Sequence, residues 1–251
     1  MDAIIIEKLL GFAMVLTRIS TFFLVAPVFS IPAVPVTIKV AATVMLSIFF
    51  SLINPPAVAA QQDSTMQAVL LLSCEATYGL ALGAIASVLF ATVKLAGRII
   101  EDQMGLTMAE ILDPLSEEQG QPLASMLEMI FVIAFLAANG HHLLLKIIHR
   151  SYELFPPGKM PPIATLAGNM LDATTMMLAT GLQLAAPILA ALLVLLVTLA
   201  ILARIVPEMD IFFISFPLRI FLGLAMLVIF VPFINGFVGE MAKMMAKVLP
   251  L

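Results

Sequence analysis

Apolar runs broken by prolines and short polar clusters set the rhythm of this chain. Ile19–Ile38 carries no charge but holds Pro27, Pro32 and Pro35 within nine positions. Three prolines so close would strip a single spanning helix of several backbone hydrogen bonds. The pattern therefore predicts a helix ending before Pro27, a loop through Pro35 and a new helix from about Val36. Asn54-Pro55-Pro56 ends that second helix, and the polar loop Gln61–Thr65 follows. Ala76–Val93 is the cleanest spanning run; its 18 residues correspond to about 27 Å of helix against a hydrocarbon core of ~30 Å. Glu75 is read at its N-terminal end and Lys94 and Arg98 at its C-terminal end, as a helix dipole favours. Gly79, Gly83, Ser87 and Ala91 recur every fourth residue, a thin stripe that admits a close neighbouring helix.

The stretch Glu101–Glu128 is the polar middle, with Gly105, Asp113-Pro114, Gly120 and Pro122 predicting much of it as loop. Met129–Leu145 is apolar again but contains Asn139-Gly140-His141-His142. Phe155–Pro162, with four prolines, reads as a stiff linker and the best internal boundary. Ala173–Ala203 is free of charge for 31 residues, too long for one perpendicular span, so it either kinks at Pro187 or stands proud of the bilayer. Arg204 and Pro207 end it. Ile211–Gly239 is interrupted by Pro217, Arg219 and Pro232. In the tail, Met241, Met244, Met245 and Val248 share one helical face and Lys243 and Lys247 the other.

Composition turns this helical pattern into a membrane-derived, all-α reading. Of 251 residues 62% are hydrophobic and 11% charged, with a mean hydropathy of +1.14. Soluble domains carry about 25% charge, so an ordinary soluble domain, a coiled coil and a disordered chain are excluded. Yet there is no Trp and there are only two Tyr, the residues that build interfacial belts in lipid-facing bundles. A net charge of −4 leaves no basic footprint for nucleic acid. The lone cysteine, Cys74, excludes a disulfide framework or a Cys-based zinc site within the chain. No basic leader or cleavage site marks a signal peptide, and basic residues are too dispersed to set an orientation.

Candidate chemistry is sparse. His141 and His142 are adjacent and point about 100° apart on a helix, so they cannot chelate one ion from regular helix. A polar helix break is the other reading of this pair, and His149 lies two turns further on. Arg18, Lys39, Glu75, Asp172, Arg204 and Arg219 border or interrupt apolar runs, where an ionisable group marks either an ion path or a paired contact. No phosphate loop, nucleophile elbow or paired-carboxylate motif occurs. No enzyme activity, cofactor or metal is expected. Methionines grouped as Met104 and Met108, Met126 and Met129, Met176 and Met177, and Met244 and Met245 either fill the core or line a deformable constriction.

The order of these features resembles the FliR family of flagellar export-gate proteins and their virulence-secretion counterparts, called SctT, over nearly the whole chain. Arg18, Pro27, Pro35 and Lys39 match its early pattern, and Glu75, Gly79 and Gly83 look like its Glu-xxx-Gly-xxx-Gly helix. Gly97, Gln103, Gly105 and Asp113-Pro114 match the central loop, and Asn139-Gly140-His141 the Asn-Gly-His element. Pro187, Arg204-Ile-Val-Pro207 and Phe216–Gly223 match the C-terminal signature.

The resemblance implies a kinked, broken-helix protein packed in a helical hetero-oligomer. Residues 1–154 would be a FliP-like part, 155–162 the linker, and 163–251 a FliQ-like hairpin with an amphipathic tail. Partners implied are FliP-like, FliQ-like and FlhB-like subunits, in a gate for unfolded flagellar proteins at the bacterial inner membrane, inside the flagellar basal body. The C-terminus would lie in the cytoplasm near FlhB. A plug is implied at about 105–120, with Gly105, Met108, Ile111, Asp113, Pro114 and Leu115 forming the constriction. Subunit contacts are expected at Arg18, Lys39, Glu75, Gly79, Gly83, Arg204 and Arg219. Apolar Met108, Ile111 and Leu115 stand where the family often has aromatics, and Glu208 and Asp210 where it commonly has amides. Alternatives are an SctT-like virulence gate, a stand-alone secondary transporter using Glu75 or Asp172, and a metalloenzyme using His141, His142 or His149.

Overall fold

A computed structural model describes residues 2–27, 35–53, 65–107, 121–159, 162–206 and 211–248. Among them the chain forms eight α-helices and no strand: α1 (Asp2–Val25), α2 (Val36–Ile53), α3 (Thr65–Met104), α4 (Pro122–Ala137), α5 (Gly140–Leu154), α6 (Ile163–Ile205), α7 (Ile211–Phe230) and α8 (Ile234–Val248). A 3₁₀ turn at Val231–Phe233, around Pro232, joins α7 to α8. Helix suits such a chain in lipid, because it satisfies each backbone N–H and C=O within the segment. The hydroxyls follow the same rule. Thr43 and Ser47 on α2 donate to the carbonyls of Lys39 and Thr43 at 2.8 and 2.7 Å, which allows Ser47 to be fully buried.

Among the described residues five helices are long and apolar enough to cross a membrane, and α4 with α5 forms a sixth, broken candidate bent by 76° at Ala138–Asn139. Asn139 makes that break in the left-handed region, φ 58°, which Asn tolerates better than most residues. The prolines act where the sequence predicts, with α1 ending at Val25, α2 running from Val36 to Ile53 and α6 starting at Ile163. Pro187 and Pro217 are instead carried inside α6 and α7. At 43 residues α6 is roughly 64 Å long, about twice the hydrocarbon core.

Two boundaries differ from the expectation. Glu75 does not begin a span; α3 starts ten residues earlier and continues through Lys94 and Arg98 to Met104. No glycine pair, proline or polar run between Thr65 and Met104 is strong enough to stop it, and both basic side chains are exposed on the chain's surface. The polar middle is less loop than predicted, because Glu101 and Asp102 close α3 and Glu128 lies within α4. Residues 108–120 lie outside the described residues.

The chain packs as two compact units, interleaved along the sequence. The first comprises 1–89, 139–175 and 241–251. Its core is built from stripes at helical spacing: Met14, Ile19 and Phe22 on α1, Tyr78, Leu82 and Ile85 on α3, and Leu144, Ile147 and Ile148 on α5. The second comprises 90–138 and 176–240. Phe90, Phe131, Phe135 and Phe237 form its aromatic centre, with Phe90 edge-on to Phe131 and Phe135 at 5.4 and 4.9 Å between ring centroids.

Candidate functional site

The first unit is organised around one buried ion pair. Arg18 on α1 and Glu75 on α3 are 1% and 2% exposed, and Arg18 Nε donates to Glu75 Oε2 at 2.6 Å. A bare guanidinium in such a place costs several kcal/mol unless its protons find acceptors. Here Nη1 donates to the carbonyl oxygen of Ser151 at 3.2 Å, which also accepts from Phe155 N, and to that of Phe155, the C-cap of α5, at 3.0 Å, while Nη2 is buried without a partner. The ring faces of Tyr78 and Tyr152 lie on the same cation, 4.7 and 4.4 Å from Cζ. Tyr152 is held there by its hydroxyl, which donates to the Val15 carbonyl at 3.2 Å.

Glu75 uses its other oxygen on the linker. Gly158 N donates to Oε1 at 2.9 Å, from a backbone with φ +90°, a region glycine enters without steric cost. One ion pair thus gathers α1, α3, the end of α5 and the proline linker. Close backbone approach makes this possible: a Cβ on Gly79 would collide with the Arg18 carbonyl and Thr21 Oγ1, and one on Gly83 would lie 3.0 Å from the Phe22 carbonyl oxygen. The residues expected at subunit contacts therefore divide. Arg18, Glu75, Gly79 and Gly83 meet each other's helices within the chain. Lys39 is half-buried in the first turn of α2, and Arg204 is exposed in the last turn of α6. Arg219 lies on α7 with its Nε buried and no hydrogen-bond partner.

In the second unit the structure shows how α3 ends and α4 begins. Leu106 N donates to the Glu101 carbonyl at 3.3 Å and Gly105 N to that of Asp102 at 3.1 Å, with Gly105 at φ +83°. This is a Schellman stop, which a glycine in the left-handed region permits. Buried Glu101 then reaches forward: its Oε2 accepts from Ala124 N at 3.4 Å, satisfying a free amide in the first turn of α4. Just before it, Gly97 lies so close to α4 that a Cβ would be 2.7 Å from Ala124 Cα. Of the predicted constriction residues only Gly105 is described; Met108, Ile111, Asp113, Pro114 and Leu115 lie outside the described residues, as do Glu208 and Asp210.

Glu101→Ala is expected to lose about 0.5–2 kcal/mol of stability, the usual worth of a helix cap, while Glu101→Gln keeps most of it. Faster amide exchange at Ala124 in the Ala variant alone is the readout. Equal exchange in both variants contradicts the capping role.

The histidines fit a helix break better than a metal site. The rings of His141 and His142 stand 4.3 Å apart at the start of α5, just past Asn139, and Nδ1 of His141 is buried without a partner. His149 instead faces Glu153 at 3.6 Å. Among the described residues no three His, Cys, Asp or Glu side chains gather as metal ligands. Asp172, the other proposed coupling acid, is exposed on α6.

Sequence reasoning missed Tyr78, Tyr152, Ser151, Gly158 and the capping role of Glu101. A signal existed for the tyrosines: the chain has only two, and both lie on the guanidinium of Arg18.

Residues 9–245 match the family described as bacterial export proteins, family 1. The flagellar biosynthetic protein FliR of Bacillus subtilis is 31% identical over 232 residues, covering 90% of this chain and 87% of the relative. That of Escherichia coli is 30% identical over 224 residues, with 88% and 84% covered. The Yop proteins translocation protein T of Yersinia pestis is 25% identical over 229 residues, with 89% and 87% covered.

Proposed function

This chain belongs to the bacterial export proteins, family 1, and from that membership we propose that it is a subunit of a type III protein export gate. The observation that carries the reading is the family match running unbroken from residue 9 to residue 245, across both compact units. The 31% and 30% identities to the Bacillus subtilis and Escherichia coli flagellar proteins, against 25% to the Yop translocation protein, favour the flagellar branch. In this reading the chain is a passive structural component at the bacterial inner membrane, within the basal body. It packs with FliP-like and FliQ-like subunits, meets an FlhB-like subunit and confines unfolded protein substrates. Residues 1–154 form its FliP-like part and 163–251 its FliQ-like part, joined at the linker that Glu75 holds.

The same reading makes Gly105–Gly120 a plug that seals the channel. The Schellman stop at Gly105 and the Glu101 cap on α4 support it, since they set where the chain leaves α3 and where it returns. Co-expression with FliP-like and FliQ-like proteins is expected to yield one stable complex by native mass spectrometry. A chain that purifies as a stable monomer and ignores both partners overturns the assignment. Replacing residues 108–120 with a short Gly-Ser segment is expected to raise ion conductance of the purified complex at unchanged assembly yield. Unchanged conductance overturns the plug while leaving membership of the gate intact.

A further inference from the structure

Two arginines stand in apolar helices under opposite conditions. Arg18 is enclosed by acceptors, whereas Arg219, the sole charge of α7, makes no ion pair among the described residues and its buried Nε no hydrogen bond. A cation so placed needs a counterpart. Arg219 lies on the stripe of Ser215, Gly223 and Leu227, all three buried within the second unit, so it faces inward. In the candidate span Phe213–Phe233 it stands four residues, about 6 Å, from the midpoint, against ~15 Å to the edge of the hydrocarbon core. That depth and that direction both point away from lipid phosphate and toward protein.

What it faces is the end of α3. One turn before Arg219, the Phe216 ring lies 3.5 Å from where a Cβ on Gly105 would stand. One turn after it, a Cβ on Gly223 would collide with the Met104 side chain. These two contacts bracket Arg219 on the α7 surface. A helical side chain covers the turn N-terminal to its own Cα, which here is the level of Phe216 and Gly105. That end of α3 is short of positive charge. Its last turn holds no basic residue and carries Glu101 and Asp102, acids at the pole where a helix dipole is already negative. A cation is favoured there, and Arg219 is the one that α7 presents.

We propose that Arg219 is the cation that completes the C-terminal end of α3, a positioning residue that fixes where the chain leaves that helix at Gly105. The role is internal to the chain, and it rests on the gate reading only for its consequence, a plug that departs from a fixed point. Amide hydrogen exchange of the purified full chain, in whatever complex it forms, tests it at Gly105 and Leu106, whose N–H groups donate to the Asp102 and Glu101 carbonyls. Arg219→Gln is expected to speed exchange there about two- to fivefold, the worth of one cation at a helix end, while Arg219→Lys, which keeps the charge, stays near the parent. Exchange at His142, whose N–H donates to the Asn139 carbonyl at the α4–α5 break, is expected to be unchanged in both variants. Parental exchange at Gly105 and Leu106 in Arg219→Gln overturns the proposal. So does an equal rise in the Gln and Lys variants, which assigns the side chain to packing, and so does a rise of the same size at His142, which marks a general loss of stability. Lower yield of the co-expressed complex with exchange unaltered assigns Arg219 to a partner subunit and overturns it too. Exchange is read independently of conductance, so a plug that does not seal leaves the role of Arg219 standing.

Discussion

Glu75→Ala is expected to destabilise the protein by about 3–5 kcal/mol, the range for breaking a buried ion pair by removing one partner. The cost arises less from lost attraction than from what remains. Arg18 stays 1% exposed, keeps its charge and loses the carboxylate 2.6 Å from Nε, while Gly158 N loses its acceptor at the same time. Arg18→Leu is expected to cost less than Glu75→Ala. It leaves a buried carboxylate, but one that still accepts from Gly158 N. The double variant Arg18→Leu with Glu75→Ala is expected to cost less than the sum of the singles by about 0.5–3 kcal/mol, the coupling typical of contacting residues. Thermal unfolding of the four proteins in one detergent closes the cycle. Strict additivity contradicts the pairing, and so does a Glu75→Ala variant as stable as the parent.

The second large effect comes from glycine, and its sign depends on position. Gly97→Ala is expected to destabilise by about 1–3 kcal/mol, because the new methyl meets Ala124 Cα at 2.7 Å, and backbone cannot swing aside as a side chain does. Gly168→Ala, on α6, meets nothing within 4 Å and is expected to stabilise by up to about 1 kcal/mol through helix propensity alone. Gly223→Ala falls between them. Its clash is with the Met104 side chain, which is flexible enough to yield. Unfolding temperatures ranked Gly168→Ala, Gly223→Ala, Gly97→Ala from highest to lowest bear this out. A Gly97→Ala protein as stable as the parent shows that α3 and α4 can part without loss.

Much of the fold was written in residues that stop helices. Pro27 and Pro35 bracket the gap between α1 and α2, the prolines of 156–162 precede α6, and Pro207 follows its end at Ile205. These signals act within a few residues, so sequence shows them. Where a boundary depends on the absence of a signal, the reading failed. An 18-residue window tuned to bilayer thickness cut α3 to less than half its 40 residues and set Glu75 at a terminus it does not have. The site was harder to read for the same reason. Arg18 and Glu75 were picked out as charges in apolar sequence, but their pairing spans 57 positions and the Ser151 and Phe155 carbonyls are 133 and 137 away. No periodicity connects such positions; only packing does. The tyrosine count pointed to a missing interfacial belt, and the structure gives the same two residues an internal task.

Those sequence separations also set an order in time. Arg18 leaves the ribosome long before its partners exist, and at about 5–20 residues per second the 133 positions to Ser151 take roughly 7 to 27 seconds to translate. Over the first 57 of those positions a guanidinium near the middle of the candidate span Lys8–Val25, worth about 2.5–3.5 kcal/mol against insertion at the centre of a spanning helix, has neither its carboxylate nor its carbonyls, and until Ser151 is made it still lacks the carbonyls. Water, lipid phosphate or the insertion machinery must hold it meanwhile. α1 is consequently expected to reach its final depth late, after a waiting step that ends only when α5 arrives.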